Sequence, residues 1–172
     1  MASNMFGFRL AQIVGISGAA WLAGNVASLS TIVTPVLLQS HKEDNISSNL
    51  LAKQWKGLFE KGRSTNPPVA AGTASSLIYL AWAVRQGSPL YKSAAYSRSG
   101  LYIAAAILTV GIVPFTFVFM GPTNDVLIEK ARSTSDSDPE VSELIERWTR
   151  LNFGRSLLPL AAAVCGVVAT II

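Results

Sequence analysis

Residues 114–124 read Pro114-Phe-Thr-Phe-Val-Phe-Met-Gly-Pro-Thr-Asn124, and residues 148–155 read Trp148-Thr-Arg-Leu-Asn152-Phe-Gly-Arg155. The first stretch is an apolar run that its Gly-Pro pair is expected to end, with polar groups directly after it. The second opens the last apolar run of the chain. Trp148, Asn152 and Arg155 are four and then three residues apart, so a helix places them on one face. An aromatic plane, an amide and a permanent cation then stand together where two apolar segments surface.

Between these stretches, 121–138 reads as a polar segment, and 133–138 is acidic and flexible in composition. Asp138-Pro139-Glu140 has the form of a helix start: a capping Asp, Pro in the first turn, and acid near the positive end. Glu143 with Arg147 and Glu146 with Arg150 have i,i+4 ion-pair spacing and fall roughly opposite the Trp148–Asn152–Arg155 face. An amphipathic helix over 139–153 is therefore expected to continue into a span over 154–172. No charged side chain follows Arg155. Residues 156–172 extend roughly 25 Å as a helix, just short of the hydrocarbon core of a bilayer.

Three more apolar runs precede this one. The third, 100–120, contains Gly111 and Pro114 and is expected to kink near its far end. The loop 86–99 before it carries Lys92, Arg98, Tyr91 and Tyr96, as at a membrane interface. The second run, 68–85, starts at Pro67-Pro68 and has Tyr79 and Trp82 on one face. The first, about 10–38, exceeds the roughly 20 residues of a spanning helix and outlasts a signal-peptide core, so it reads as a retained span. Its polar seam of Asn25, Ser28, Ser30, Thr31 and Thr34 serves either helix packing or a cavity lining. In the polar loop 39–66, residues 49–61 can form a short amphipathic helix with Leu50, Leu51, Trp55, Leu58 and Phe59 toward the membrane. Asn45-Ile-Ser47 is a glycosylation sequon, usable only on a lumenal side.

The composition agrees with a membrane protein. The chain of 172 residues is 50% hydrophobic and only 14% charged, against about a quarter charged in soluble domains. No Asp or Glu lies between Glu60 and Asp125. The net charge of +4 is scattered over loops and not gathered in a stripe, which argues against nucleic acid. The expected fold is all-α, a single membrane domain over 1–172 with four helices in a bundle, multi-pass. Basic residues are commoner in 40–66 and 121–152 than in 86–99, but those loops are also longer, so the orientation stays open. With one cysteine, Cys165, and one histidine, His41, an intramolecular disulfide is excluded, and haem, multi-histidine metal centres and a histidine relay lack ligands.

These patterns, taken in order, resemble the anthrone oxygenase family of small four-helix membrane proteins. They are Ser28-Leu-Ser-x4-Pro35, Gln54-Trp55 with Gly62 and Pro67, Pro122-Thr-Asn124-x2-Leu127, and Trp148-x3-Asn152-x2-Arg155. Some members have His where Asn152 stands, a departure that takes a basic role from that position here. The resemblance implies oxidation of an anthrone to an anthraquinone by O2 in fungal polyketide pathways, on an endoplasmic reticulum or other endomembrane, with no metal and no flavin.

That chemistry needs a dry flat pocket, a base, and a donor for an enolate oxygen. Arg155 is the candidate enolate partner; the alternative is an arginine snorkelling to headgroups. Asn152 is the candidate catalytic amide, donating to phenolic or carbonyl oxygens of the substrate, with helix–helix hydrogen bonding as the alternative. Asn124 and Thr123 are candidate hydrogen-bonding groups for substrate oxygens, with helix packing or capping as alternatives. Trp148 and Trp55 are candidate stacking planes, with interfacial anchoring the rival role for Trp55. His41 is the candidate base, since imidazole transfers protons near neutrality; a solvated loop histidine is the alternative. Tyr79 is a further pocket candidate. The competing function is a non-catalytic membrane assembly or scaffold subunit, whose Trp148, Asn152 and Arg155 would face a partner protein. A transporter is disfavoured, because the apolar runs hold no carboxylate to couple ions.

Overall fold

The computed structural model describes residues 2–91, 97–133 and 138–172. Lys92, Tyr96 and residues 134–137 of the acidic segment lie outside the described residues. The fold is all-α: α1 (Ala2–Ser28), α2 (Thr34–Glu43), α3 (Ser48–Ala83), α4 (Arg98–Phe115), α5 (Gly121–Lys130) and α6 (Glu140–Ile171), with no strand among the described residues. Wide π-turns over Leu29–Val33 and Thr116–Met120 join α1 to α2 and α4 to α5 without a break.

Met5–Glu43, Arg98–Lys130 and Glu140–Ile171 are long and apolar enough to cross a membrane. The second half of α3 is uncharged, but it is built from Ala, Gly, Ser, Thr and Pro more than from large aliphatic residues. Phe6, Phe117 and Ile171 are each more than 70% exposed. Large apolar side chains displayed at that level are stable against lipid and unstable against water.

Two expected breaks are absent. Gly121-Pro122 does not end the third run, because the π-turn before it has already displaced the i→i−4 ladder. Pro122 enters the first turn of α5, where its missing amide has no helical partner to lose. Pro35 follows the other π-turn in the same way, and the Thr34 hydroxyl donates to the Leu29 carbonyl at 3.0 Å. Pro67-Pro68 likewise lie inside one helix, α3. The carbonyls they release belong to Arg63 and Ser64, both exposed, so solvent can satisfy them without interrupting the buried side of the helix. The separate amphipathic helix 49–61 is thus the first part of α3.

The chain forms two compact units. Residues 1–24, 66–112 and 157–172 make the first. Its core is dominated by small residues, with Ala19, Leu77, Leu80, Tyr102, Ala105, Ala162 and Ala169 fully buried. Close helix approach explains Gly18, where an added Cβ would lie 2.1 Å from the Thr73 hydroxyl oxygen. Gln12 donates to the Tyr102 hydroxyl at 3.1 Å. Arg98 is buried and donates from Nε to the Ala169 carbonyl at 3.0 Å, placing a cation at the negative end of α6.

Residues 25–65 and 113–156 make the second unit. Leu51, Ala52, Trp55, Met120, Leu127, Ile145 and Trp148 form its core, with Phe59 and Phe115 packed on it. The face of residues 49–61 expected to meet the membrane therefore points inward at Leu51 and Trp55, while Leu50 alone stays 46% exposed. Glu143, Glu146, Arg147 and Arg150 are exposed, but they do not form the expected pairs. The ion pairs among the described residues are Lys56–Glu60, Lys130–Asp138 and Lys130–Glu140. An exposed i,i+4 pair gains too little to hold two long side chains still.

Asp138 caps α6, its Oδ1 accepting from the Glu140 amide at 3.1 Å, while Oδ2 sits 2.7 Å from Lys130 Nζ. The hydrogen bond from Lys130 holds this carboxyl below its ordinary 3.8. A depressed folded value contributes stability that is fully present above the unfolded value and lost as pH falls through the folded one. Amide exchange at Glu140 should therefore be pH-insensitive in protection from pH 7 down to about 4 and lose protection below it. Asp138→Asn should remove that dependence.

Candidate active site

The two π-turns place side chains where a regular 3.6-residue repeat would not. The first buries Ser30 and the second carries Thr116. Both meet residues of α6 in the second unit. Asn152 is fully buried, and its Nδ2 donates to the Val26 carbonyl at 2.8 Å and to Ser30 Oγ at 2.7 Å. Its Oδ1 accepts from Arg155 Nη2 at 2.7 Å, and Arg155 Nη1 donates to Thr116 Oγ1 at 2.9 Å. One turn earlier, Thr149 donates to Thr34 at 2.7 Å.

This arrangement turns the guanidinium inward. Among the described residues Arg155 has no carboxylate within ion-pair distance, and its Nε is buried without a hydrogen-bond partner. Interior polar atoms nearly always find partners. Among the described residues the second unit nevertheless holds six that have none: Arg155 Nε, Trp148 Nε1 and Trp55 Nε1, which donate; Asn124 Oδ1 and Gln54 Oε1, which accept; and Thr123 Oγ1, which can do either. Trp55 and Trp148 are 0% and 2% exposed. Their rings meet edge to face at 5.9 Å, and Phe59 stacks on Trp55 at 5.3 Å and 14°. Thr123 and Asn124 are buried on α5 between Met120 and Leu127, which belong to the same core as both tryptophans.

The structure thus joins Asn152 to Arg155, and Trp55 to Trp148, and buries Thr123 and Asn124 within the same unit. His41 stands apart from them. Its Nδ1 contacts the Ile46 carbonyl, which can only accept, so Nδ1 is the donor of that contact. With Asn45, Ser48 and Asp138 it lines an open groove. Asn45 is exposed there with φ +54. Tyr79 belongs to the first unit and is 39% exposed beside Trp82. A second, apolar groove in that unit is lined by Trp21, Gly18, Gly72 and Thr73. No group of three or more His, Cys, Asp or Glu residues is placed to hold a metal ion among the described residues.

Ser30, Thr116 and Gln54 are the polar groups here that sequence reasoning left out of the site. Ser30 was legible only as part of a seam, and Gln54 only as the neighbour of Trp55. Thr116 lay inside an apolar run with no periodic signal.

Residues 55–165 match the family model described as anthrone oxygenase. The chain is 32% identical to anthrone oxygenase encC of Aspergillus fumigatus over 94% of its own length and 93% of that protein's. It is 30% identical to anthrone oxygenase AgnL2 of Paecilomyces divaricatus, over 91% and 92% of the two chains. It is 27% identical to noranthrone monooxygenase of Aspergillus flavus, over 91% and 71%. No solved structure matches the chain.

Proposed function

This chain belongs to the anthrone oxygenase family, and from that premise we propose that it is a multi-pass endomembrane oxygenase that converts an anthrone-type polyketide to an anthraquinone with O2 and no resident cofactor. An anthrone carries its own reducing power. Loss of a proton from its methylene gives an aromatic enolate, which passes one electron to O2. The carbon radical and superoxide combine to a peroxide, and loss of water leaves the new carbonyl. One oxygen atom ends in the quinone and the other in water, so no outside reductant is needed.

The observation that carries this reading is the inward cation of Arg155, braced by Asn152 and Thr116, with Nε–H unpartnered and no carboxylate mate among the described residues. A fixed positive charge in a poorly solvated interior stabilises an enolate far more than water does. In this reading Arg155 pairs with the enolate oxygen and Asn152 fixes the guanidinium. Asn124 and Thr123 bind substrate hydroxyls, and Trp148 and Trp55 bound the ring. The exposed apolar side chains of α1, α4 and α6 face lipid, from which an apolar substrate is drawn.

Membranes containing the full chain should consume O2 when given an anthrone with no added cofactor, and should yield the quinone above the autoxidation of a protein-free control. A wild-type rate equal to that control across several anthrones would sink the proposal and leave a scaffold role.

A further inference from the structure

Phe59 already covers one face of Trp55, and Trp55 and Trp148 meet edge to face. What these rings still offer a ligand is their Nε1–H groups, both buried and unpartnered, together with the unpartnered Oε1 of Gln54 in the same turn as Trp55. Two donors on one aromatic pair, and an acceptor one residue before Trp55 on α3, are the complement of a hydroxyl, which accepts and donates through one atom. Trp148 and Arg155 lie two turns apart on one face of α6, about 10 Å along its axis. That is the length of a linear three-ring molecule.

We infer that Gln54, Trp55 and Trp148 form a distal hydroxyl subsite, which binds a free phenolic hydroxyl at the end of the substrate away from Arg155. The inference rests on the oxygenase reading above and extends it from the reacting carbon to the choice among anthrones. The substrate lies along α6 with its enolate oxygen at Arg155. Its terminal hydroxyl accepts from an indole N–H and donates to Gln54 Oε1. A methyl ether or a bare ring in that place leaves the buried Gln54 oxygen without a donor, and a site built to hydrogen-bond a hydroxyl rejects the analogue that lacks it.

The test compares an anthrone bearing a free hydroxyl on its terminal ring with the methyl ether of the same compound, using membranes of the full chain. Wild type should favour the free hydroxyl by roughly tenfold or more in kcat/KM. Gln54→Met and Trp148→Phe keep size and ring but remove the acceptor or an N–H, and each should bring that ratio close to one. Trp55→Phe stands in if Trp148→Phe fails to fold. Binding of the two corresponding quinones, followed by tryptophan fluorescence, gives the same comparison without turnover. A wild type that oxidises both compounds with no preference, or variants that keep the wild-type ratio, would overturn the subsite and leave the oxygenase reading standing. A wild type that oxidises neither compound overturns both.

Discussion

Membranes carrying Arg155→Met should consume O2 with an anthrone roughly 100- to 1,000-fold more slowly than wild type, the usual cost of deleting one group that stabilises a developing oxyanion. The margin is large because the interior offers no substitute. Arg155 is the sole charged side chain from residue 151 to the C-terminus. Methionine keeps much of the side-chain volume and removes the charge. Arg155→Lys should recover only part of the rate. An ammonium is a point charge, whereas the guanidinium fork reaches Asn152 and Thr116 together and still presents Nε–H. An oxygen electrode corrected for autoxidation measures the rate. Anaerobic absorbance of the coloured enolate then tells whether the loss lies in forming that anion. Arg155→Met at the wild-type rate would remove the cation from the mechanism.

Asn152→Leu should lower stability by roughly 2–3 kcal/mol, because it strands three partners at once. The Val26 carbonyl and Ser30 hydroxyl lose a donor, and Arg155 Nη2 loses its acceptor. Thermal unfolding in detergent micelles, followed by tryptophan fluorescence, reports the loss. Asn152→Asp separates structure from chemistry. It keeps an acceptor for Arg155 and neutralises the cation, yet it can no longer donate to the Val26 carbonyl, so stability should fall less than in Asn152→Leu while oxidation falls with Arg155→Met. An Asn152→Asp protein that oxidises anthrones normally would show that net charge at Arg155 does not matter.

The two tryptophans illustrate how far residue types can be read without a fold. Trp55 and Trp148 were legible as aromatic residues, but that their rings are buried against each other with unpartnered Nε1–H groups was not. Leu51 and Trp55 were expected on a membrane-facing stripe, since nothing in a 3.6-residue pattern says whether an apolar stripe meets lipid or another helix. Gly121-Pro122 and Pro67-Pro68 were expected to break helices. Proline's local preference is real, but a preceding π-turn or an exposed released carbonyl removes most of its cost.

By itself the sequence determined the helical, apolar character of the chain and the shared face of Trp148, Asn152 and Arg155. Both follow from short-range facts: the density of apolar residues and the 100° step of a helix. Only the tertiary structure decided that this face turns inward, that Ser30, Thr116 and the Val26 carbonyl brace it, and that Trp55 and Trp148 meet ring to ring. Those contacts join residues 39 to 126 positions apart, and two of them depend on π-turns whose extra residue rotates the following side chains out of the regular register. Hydrophobic periodicity carries no record of either.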